Sequence, residues 1–125
     1  MAFEEALEKM RAELEREIKR QLSGLQGLVV KPVYNSMMPL HAEVSFASQA
    51  YDLVFLKDGM VGLKPGPALT PDVRIASDPQ TFMSLLQNPS SGLFNQLESE
   101  GKIKITSLTE KGKRAEGYVR KYFAG

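Results

Sequence analysis

The sequence predicts an α+β fold in which helices cover a five-stranded, mostly antiparallel sheet, and three observations support this prediction. Residues 2–22 carry apolar side chains at steps of three or four, the spacing of an amphipathic helix. Two apolar runs around Asp58-Gly59 are typical of a β-hairpin, because Asp and Gly tolerate the positive φ angles of a tight turn. Near residue 78, a strand pattern changes directly into a helix start.

The composition predicts one ordinary domain over residues 1–125, since 42% of the residues are hydrophobic and 25% are charged. The absence of cysteine excludes disulfides and thiolate chemistry. Charges interrupt the first residues every two or three positions, which does not fit a signal peptide. Because no apolar stretch approaches membrane-spanning length, we expect a cytoplasmic protein.

The N-terminal helix, residues 1–22 of the domain, presents a single apolar stripe, which we expect to cover the sheet. Ser23-Gly24 is expected to end it. In an alternative hypothesis, the stripe pairs two copies of the chain into a homodimer. The residues that would form this contact are Phe3, Leu7, Met10 and Leu14.

Residues 23–41 give the weakest signal in the chain. Leu28, Val29 and Val30 favour extended chain, and Pro32 would confine such a segment to a sheet edge or a turn. Met37-Met38-Pro39 resembles a loop, and the structure and role of residues 23–41 stay open at this point.

Five strands and three helices are expected after residue 41. In the first strand, Glu43 and Ser45 alternate with apolar residues, which predicts one solvent-exposed face. Asp78 is expected to cap a helix whose first residue is Pro79, and Thr109 is expected to cap the last helix. The expected order is the first strand and the hairpin from residue 42, a loop over residues 64–71, a strand over 72–76, helices over 79–87 and from 90 to Gly101, a strand over 101–106 and a helix from 110.

No pattern of catalytic or metal-binding residues is visible. His41 is the only histidine and has no partners at metal-ligand spacing, so we expect a surface or structural role. The chain has no nucleophile elbow and no phosphate-binding glycine loop. Its aromatic residues fall on inward positions, unlike those of a nucleic-acid interface. We therefore expect neither an enzyme nor a cofactor, metal or nucleic-acid partner.

Basic residues are concentrated after Gly101. This segment contains seven basic and two acidic residues, which gives it a net charge of +5. One interpretation is an ordinary solvated helix face. The other is a surface that makes transient contact with an anionic partner such as a membrane.

The stretch PDVRIASDPQTFMSLLQNPSSGLFNQLESEGKIKI, residues 71–105, resembles the sterol carrier protein type two family. The shared features are Pro-Asp opening a strand, a Ser-Asp helix cap, an apolar helix with a Phe, an Asn-Pro linker, a second short helix and Gly-Lys-Ile-Lys on the last strand. The hairpin with Lys57-Asp58-Gly59 also fits, and the resemblance covers residues 42–125.

This resemblance implies a lipid-binding or lipid-transfer module without catalytic residues. The family holds a fatty acyl chain, acyl-CoA or sterol in an apolar tunnel between sheet and helices. The alternative is a structural, oligomerisation or accessory domain with a filled core and no lipid. The residues predicted to line the tunnel are Phe46, Phe55, Phe82, Leu85, Leu86, Phe94, Leu97, Ile103, Ile105, Tyr118, Tyr122 and Phe123.

Overall fold

A computed structural model describes residues 2–125, with side chains from residue 4 onward. It confirms the α+β prediction. The helices of this part of the chain are α1 (Ala2–Gln21), α2 (Gly24–Met37), α3 (Pro79–Gln87), α4 (Ser91–Ser99) and α5 (Glu110–Ala124). The strands are β1 (Leu40–Ser45), β2 (Ala50–Phe55), β3 (Val61–Pro65), β4 (Val73–Ser77) and β5 (Ile103–Ser107).

The sheet has the strand order β3-β2-β1-β4-β5. All neighbours pair antiparallel except β1 and β4, which are parallel. This confirms the prediction of a mostly antiparallel sheet. Pro65, which lacks a backbone N–H, ends β3. It is tolerated there because β3 is an edge strand that pairs only with β2.

The helices α1, α3, α4 and α5 contribute to a single hydrophobic core on one face of the sheet. Alternate strand residues point into this core because successive side chains of a strand face opposite sides. The directly paired Val44 and Tyr51 are examples, and Ile75 and Ile105 continue the same layer across the sheet.

The predicted N-terminal helix is confirmed, and its apolar stripe is used within the chain. Leu7 and Met10 are buried, Leu14 and Ile18 pack against the core, and α1 contacts β3 and α3. The side chain of Phe3 lies outside the described residues. Since Leu7 and Met10 are already covered by their own chain, the predicted homodimer contact through this stripe gains no support.

The expectation of extended chain at Leu28, Val29 and Val30 was wrong, because these residues lie within α2. The β-branched residues and Pro32 argue against a helix locally, but long-range contacts on the polar side of α2 hold it in place. Asn35 Nδ2 donates to the Asp58 carboxylate at 3.1 Å, and the Asp58 N–H donates to Asn35 Oδ1 at 2.9 Å. Lys31 Nζ lies 3.4 Å from the same carboxylate.

The predicted hairpin is present, but its turn is longer than two residues. Phe55 pairs with Val61, and Leu56 N–H donates to Met60 O at 2.8 Å, so five residues connect β2 to β3. Asp58 and Gly59 adopt φ angles of 62° and 85°, as their residue types favour. The predicted loop over residues 64–71 begins later than expected, because β3 extends to Pro65.

The prediction that Glu43 lies on a solvent-exposed face was also wrong, since this side chain is buried. Arg74 Nε donates to one Glu43 carboxylate oxygen at 2.8 Å, and Ala68 N–H donates to the other at 3.2 Å. The loop after β3 therefore covers part of the outer face of the sheet. A buried carboxylate needs such partners, and neither is close to Glu43 in the sequence.

The helix caps lie at the predicted residues. Thr81 N–H donates to Asp78 Oδ1 at 2.8 Å, and Gly112 N–H donates to Thr109 Oγ1 at 3.0 Å. The hydrogen bonds from Thr81, first from its side chain and then from its backbone, lower the pKa of Asp78. Both helices thus begin at positions that local sequence chemistry specifies.

Candidate functional site

Aromatic side chains from three helices and from the residue after β1 meet in the core, and we call Phe46, Phe82, Phe94, Tyr122 and Phe123 the aromatic cluster. The Phe82 ring centroid lies 5.7 Å from that of Phe46 and 5.6 Å from that of Phe123. The Phe123 centroid lies 6.0 Å from that of Phe94 and 5.7 Å from that of Tyr122. These separations are those of favourable aromatic pairs, so the cluster connects the residue after β1 with α3, α4 and α5.

Most other residues predicted to line a tunnel lie in the same core. Leu85, Leu97, Ile103 and Ile105 are buried there, and Phe55 and Leu86 are half-buried against it. Tyr118 is 77% exposed, so the structure does not bring it together with the others. Contact of the remaining residues with a ligand stays a prediction.

A groove of about 380 Å³ lies between α1 and α5 beside the aromatic cluster. Tyr122 belongs to both features, because it lines the groove and its ring contacts Phe123. Leu14 supplies a second apolar wall, and the α1 side chains Glu13, Arg16, Glu17 and Arg20 complete the lining. An apolar floor beneath a charged rim suits a molecule with an apolar body and a polar head.

The two arginines of the rim differ in their ion pairing. Arg20 forms a close ion pair with Glu17, with Nη2 and Oε2 2.6 Å apart, and hydrogen bonding to Arg20 lowers the pKa of Glu17. Arg16 is exposed and has no ion-pair partner among residues 4–125. Its guanidinium is therefore the cation of the rim that is free to meet an anionic group.

Tyr122 presents a neutral phenol to the groove. Burial first, and then the nearby Glu13 carboxylate, raise the pKa of Tyr122 to about 12. The hydroxyl thus keeps its proton at physiological pH and can donate a hydrogen bond.

The outer face of the sheet carries a separate polar group around His41. Its Nδ1 lies 3.1 Å from both carboxylate oxygens of Asp52, on the neighbouring strand β2. His41 therefore does have an acidic partner, which the spacing in the sequence did not indicate. In the part of the chain that the structure describes, no three His, Cys, Asp or Glu side chains are grouped so that they could hold a metal ion.

The basic residues of the C-terminal segment are partly engaged within the chain. Lys111 Nζ donates to Pro39 O at 2.8 Å, and Arg120 pairs with Glu98 and Glu116 at 2.6 and 2.9 Å. Lys102 lies 3.5 Å from Glu100. These pairs favour the interpretation of a solvated face.

A second, open cavity of about 580 Å³ lies where β5 leads into α5. Its lining is polar, and Ser107 Oγ donates to Glu116 there at 2.5 Å. This hydrogen bond, together with one from Arg120, lowers the pKa of Glu116. The cavity is wide open to solvent and offers no enclosed apolar surface.

Sequence reasoning missed the α1 side of the groove. The apolar spacing of α1 indicates that Leu14 faces the core. Its neighbour across the groove, Tyr122, lies 108 residues further along the chain, so the sequence gives no local sign of their contact. Only the folded structure brings Tyr122 next to Leu14 and Arg16.

Comparisons with protein-family models and with curated proteins give no match. Among solved structures, the chain is similar to one described as "UbiJ-SCP2 Ubiquinone synthesis protein", with a TM-score of 0.53 and 13% sequence identity over 91% of this chain and 92% of that chain. The chain has the SCP2 fold.

This likeness confirms the fold that the resemblance in residues 42–125 implies, and it extends beyond those residues because it covers 91% of the chain. A sterol carrier protein 2 like 2 from Aedes aegypti is also similar, with a TM-score of 0.42 and 12% identity over 64% of this chain and 70% of that chain. A sec-alkylsulfatase from Pseudomonas sp. gives a TM-score of 0.45 and 13% identity over 68% of this chain, which corresponds to 12% of that enzyme.

Proposed function

We propose that this SCP2-fold chain is a lipid-binding module and not an enzyme. Its ligand would be a fatty acyl chain, an acyl-CoA or a sterol, held in the groove between α1 and α5 with its apolar end toward the aromatic cluster. The SCP2 fold and the resemblance in residues 71–105 support this proposal. The similar structure is described as a ubiquinone synthesis protein, so a long isoprenoid quinone belongs among the ligands to be tested.

The observation that carries the proposal is the continuity between the α1–α5 groove and the aromatic cluster. Tyr122 forms part of the groove wall and at the same time packs against Phe123. The volume of about 380 Å³ lies within the range of roughly 300–1,000 Å³ that is common for small-molecule sites. A ligand in the groove would therefore extend its apolar end toward the cluster.

Burial of the apolar part of the ligand would supply most of the binding free energy. Each methylene removed from water contributes about 0.8 kcal/mol. The polar head would remain at the rim, where Arg16 offers a charged hydrogen-bond donor. Among lipids of equal apolar length, those with an anionic head are therefore favoured.

The alternative of an oligomerisation domain is less well supported. Its predicted contact requires the stripe of α1, but Leu7 and Met10 are buried within the chain.

Binding of a fatty acid and of the fatty alcohol with the same chain tests the proposal. The wild-type protein should bind both and should prefer the acid. In Arg16→Gln, we expect the affinity for the acid to fall about tenfold, because a hydrogen bond to a charged group contributes roughly 1.5 kcal/mol or more. The affinity for the alcohol should not change.

Arg114→Gln is the matched control, because Arg114 is also an exposed helical arginine but lies outside the groove. Isothermal titration calorimetry or competition with a fluorescent fatty acid gives the affinities. If the wild-type protein bound neither the acid nor the alcohol, the proposal would be contradicted. If Arg16→Gln and Arg114→Gln lost the same affinity for the acid, the assigned role of Arg16 would be contradicted.

A further inference from the structure

The helix α2 turns an apolar face toward solvent, the reverse of an ordinary surface helix. Leu25, Leu28, Val29 and Val33 are 86%, 75%, 74% and 63% exposed. At 100° per residue they fall on one side of the helix, together with the exposed Pro32. Lys31, the one charged residue of α2, lies on the other side.

Contacts on the inner side of α2 fix this orientation. A Cβ on Gly27 would lie within 2.1 Å of the backbone oxygen of Leu22, so the two segments are in close contact at this glycine. Asn35 and Lys31 are both tied to Asp58 in the β2–β3 connection. The helix therefore cannot rotate to bury its apolar face without breaking these contacts.

The surroundings of this face are apolar, and two of their three lysines form ion pairs on the surface, Lys19 with Glu15 at 3.8 Å and Lys31 with Asp58 at 3.4 Å. The β2–β3 connection, which is tied to α2, carries two further exposed apolar side chains, Leu56 and Met60. It also carries the exposed Lys57, and Lys19 of α1 adjoins its Gly59. Its acidic residue, Asp58, is already engaged by Lys31 and Asn35.

We propose that α2 docks on an anionic lipid bilayer, with Leu25, Leu28, Val29 and Val33 inserted at the boundary between headgroups and acyl chains. Helices that lie in this boundary combine an apolar face with flanking basic residues. Lys57, which is exposed and has no ion-pair partner among residues 4–125, would then face the headgroups, and its charge is complementary to an anionic surface.

A second copy of the chain fits the same face less well. The exposed patch is a single helix face. Its area is on the order of a few hundred Å², the size of the largest apolar patch on a typical monomeric protein. A stable protein interface buries about 800 Å² on each partner. A bilayer needs no complementary groove, and α2 carries no acidic residue that an anionic surface would repel.

A tryptophan reporter tests this inference, because the chain contains no tryptophan of its own. Leu25→Trp places the reporter on the α2 face, and Leu69→Trp places it at a fully exposed position in the loop after β3. Phosphatidylcholine vesicles containing one third phosphatidylglycerol should shift the emission of Leu25→Trp to the blue. Brominated acyl chains should quench it, whereas Leu69→Trp should not respond.

Two further variants give the size of the effect by vesicle cosedimentation. Leu28→Gln combined with Val29→Gln should lower partitioning at least tenfold, and Leu69→Gln should leave it unchanged. All three side chains are largely exposed, so these changes leave the core intact. Raising the phosphatidylglycerol fraction should increase the binding of the wild-type protein.

Three results would overturn the inference: a wild-type protein that stays in the supernatant, a double variant that cosediments as well as the wild type, or an emission shift of Leu25→Trp without vesicles that depends on protein concentration. The last result would identify a second copy as the partner. Uptake of a fatty acid from solution by the double variant is measured in parallel. Normal uptake with lost vesicle binding separates docking from the proposed lipid site, which would stand or fall on its own titration.

Discussion

Replacing Phe82 by alanine is expected to lower the free energy of unfolding by about 3–5 kcal/mol. The Phe82 side chain is 0% exposed and lies at the centre of the aromatic cluster, between Phe46 and Phe123. Alanine removes the ring from these contacts and leaves a cavity that Phe46 and Phe123, fixed by the sheet and by α5, cannot close. Urea denaturation monitored by circular dichroism measures the change.

Phe82→Leu is the control, since it removes less volume and keeps an apolar side chain at the same site. It should cost clearly less than alanine. A loss below about 1 kcal/mol for Phe82→Ala would contradict a well-packed cluster and would indicate space around this ring.

Replacing Gly112 by alanine is expected to destabilise the protein by about 3 kcal/mol, near the upper end of overpacking penalties. A Cβ at this position would lie 1.9 Å from the Asp72 backbone oxygen, where no methyl group fits. The backbone cannot retreat freely, because the Asp72 carboxylate accepts hydrogen bonds from His41 N–H at 2.9 Å and from Thr109 Oγ1 at 2.7 Å. The start of α5 would have to move away from β4.

Gly117 provides a matched control on the same helix, because nothing lies within 4 Å of its Cβ position. Gly117→Ala should stabilise the protein by up to about 1 kcal/mol through the higher helix propensity of alanine. Thermal and urea unfolding of the two variants compare them directly. If Gly112→Ala changed the free energy of unfolding no more than Gly117→Ala, α5 would not be held against β4 at Asp72.

Elements governed by local chemistry could be predicted from the sequence. The caps at Asp78 and Thr109 act within three residues, so their helices begin where expected. Strand periodicity likewise identified the inward residues of β5. The helix α2 could not be predicted, because contacts 23 residues apart, between Asn35 and Asp58, hold it against the propensity of its β-branched residues.

The same distinction applies to the candidate site. Periodicity identified the aromatic cluster, because every member faces inward from its own element. It also assigned Tyr118 to the buried face of α5, but this residue lies beyond the edge of the contact and is exposed. The burial of Glu43 depends on Arg74 and Ala68, and the groove depends on α1 meeting α5, so neither has a local signal.

Native mass spectrometry of the protein purified from cells without detergent tests the lipid-binding proposal most directly. We expect a fraction of molecules whose mass exceeds that of the chain by one long-chain lipid, and loss of this excess on denaturation. Extraction and analysis of the released material identify the lipid. A protein that carries no excess mass and, after incubation with fatty acids, acyl-CoA, sterol and ubiquinone, still carries none would contradict the account.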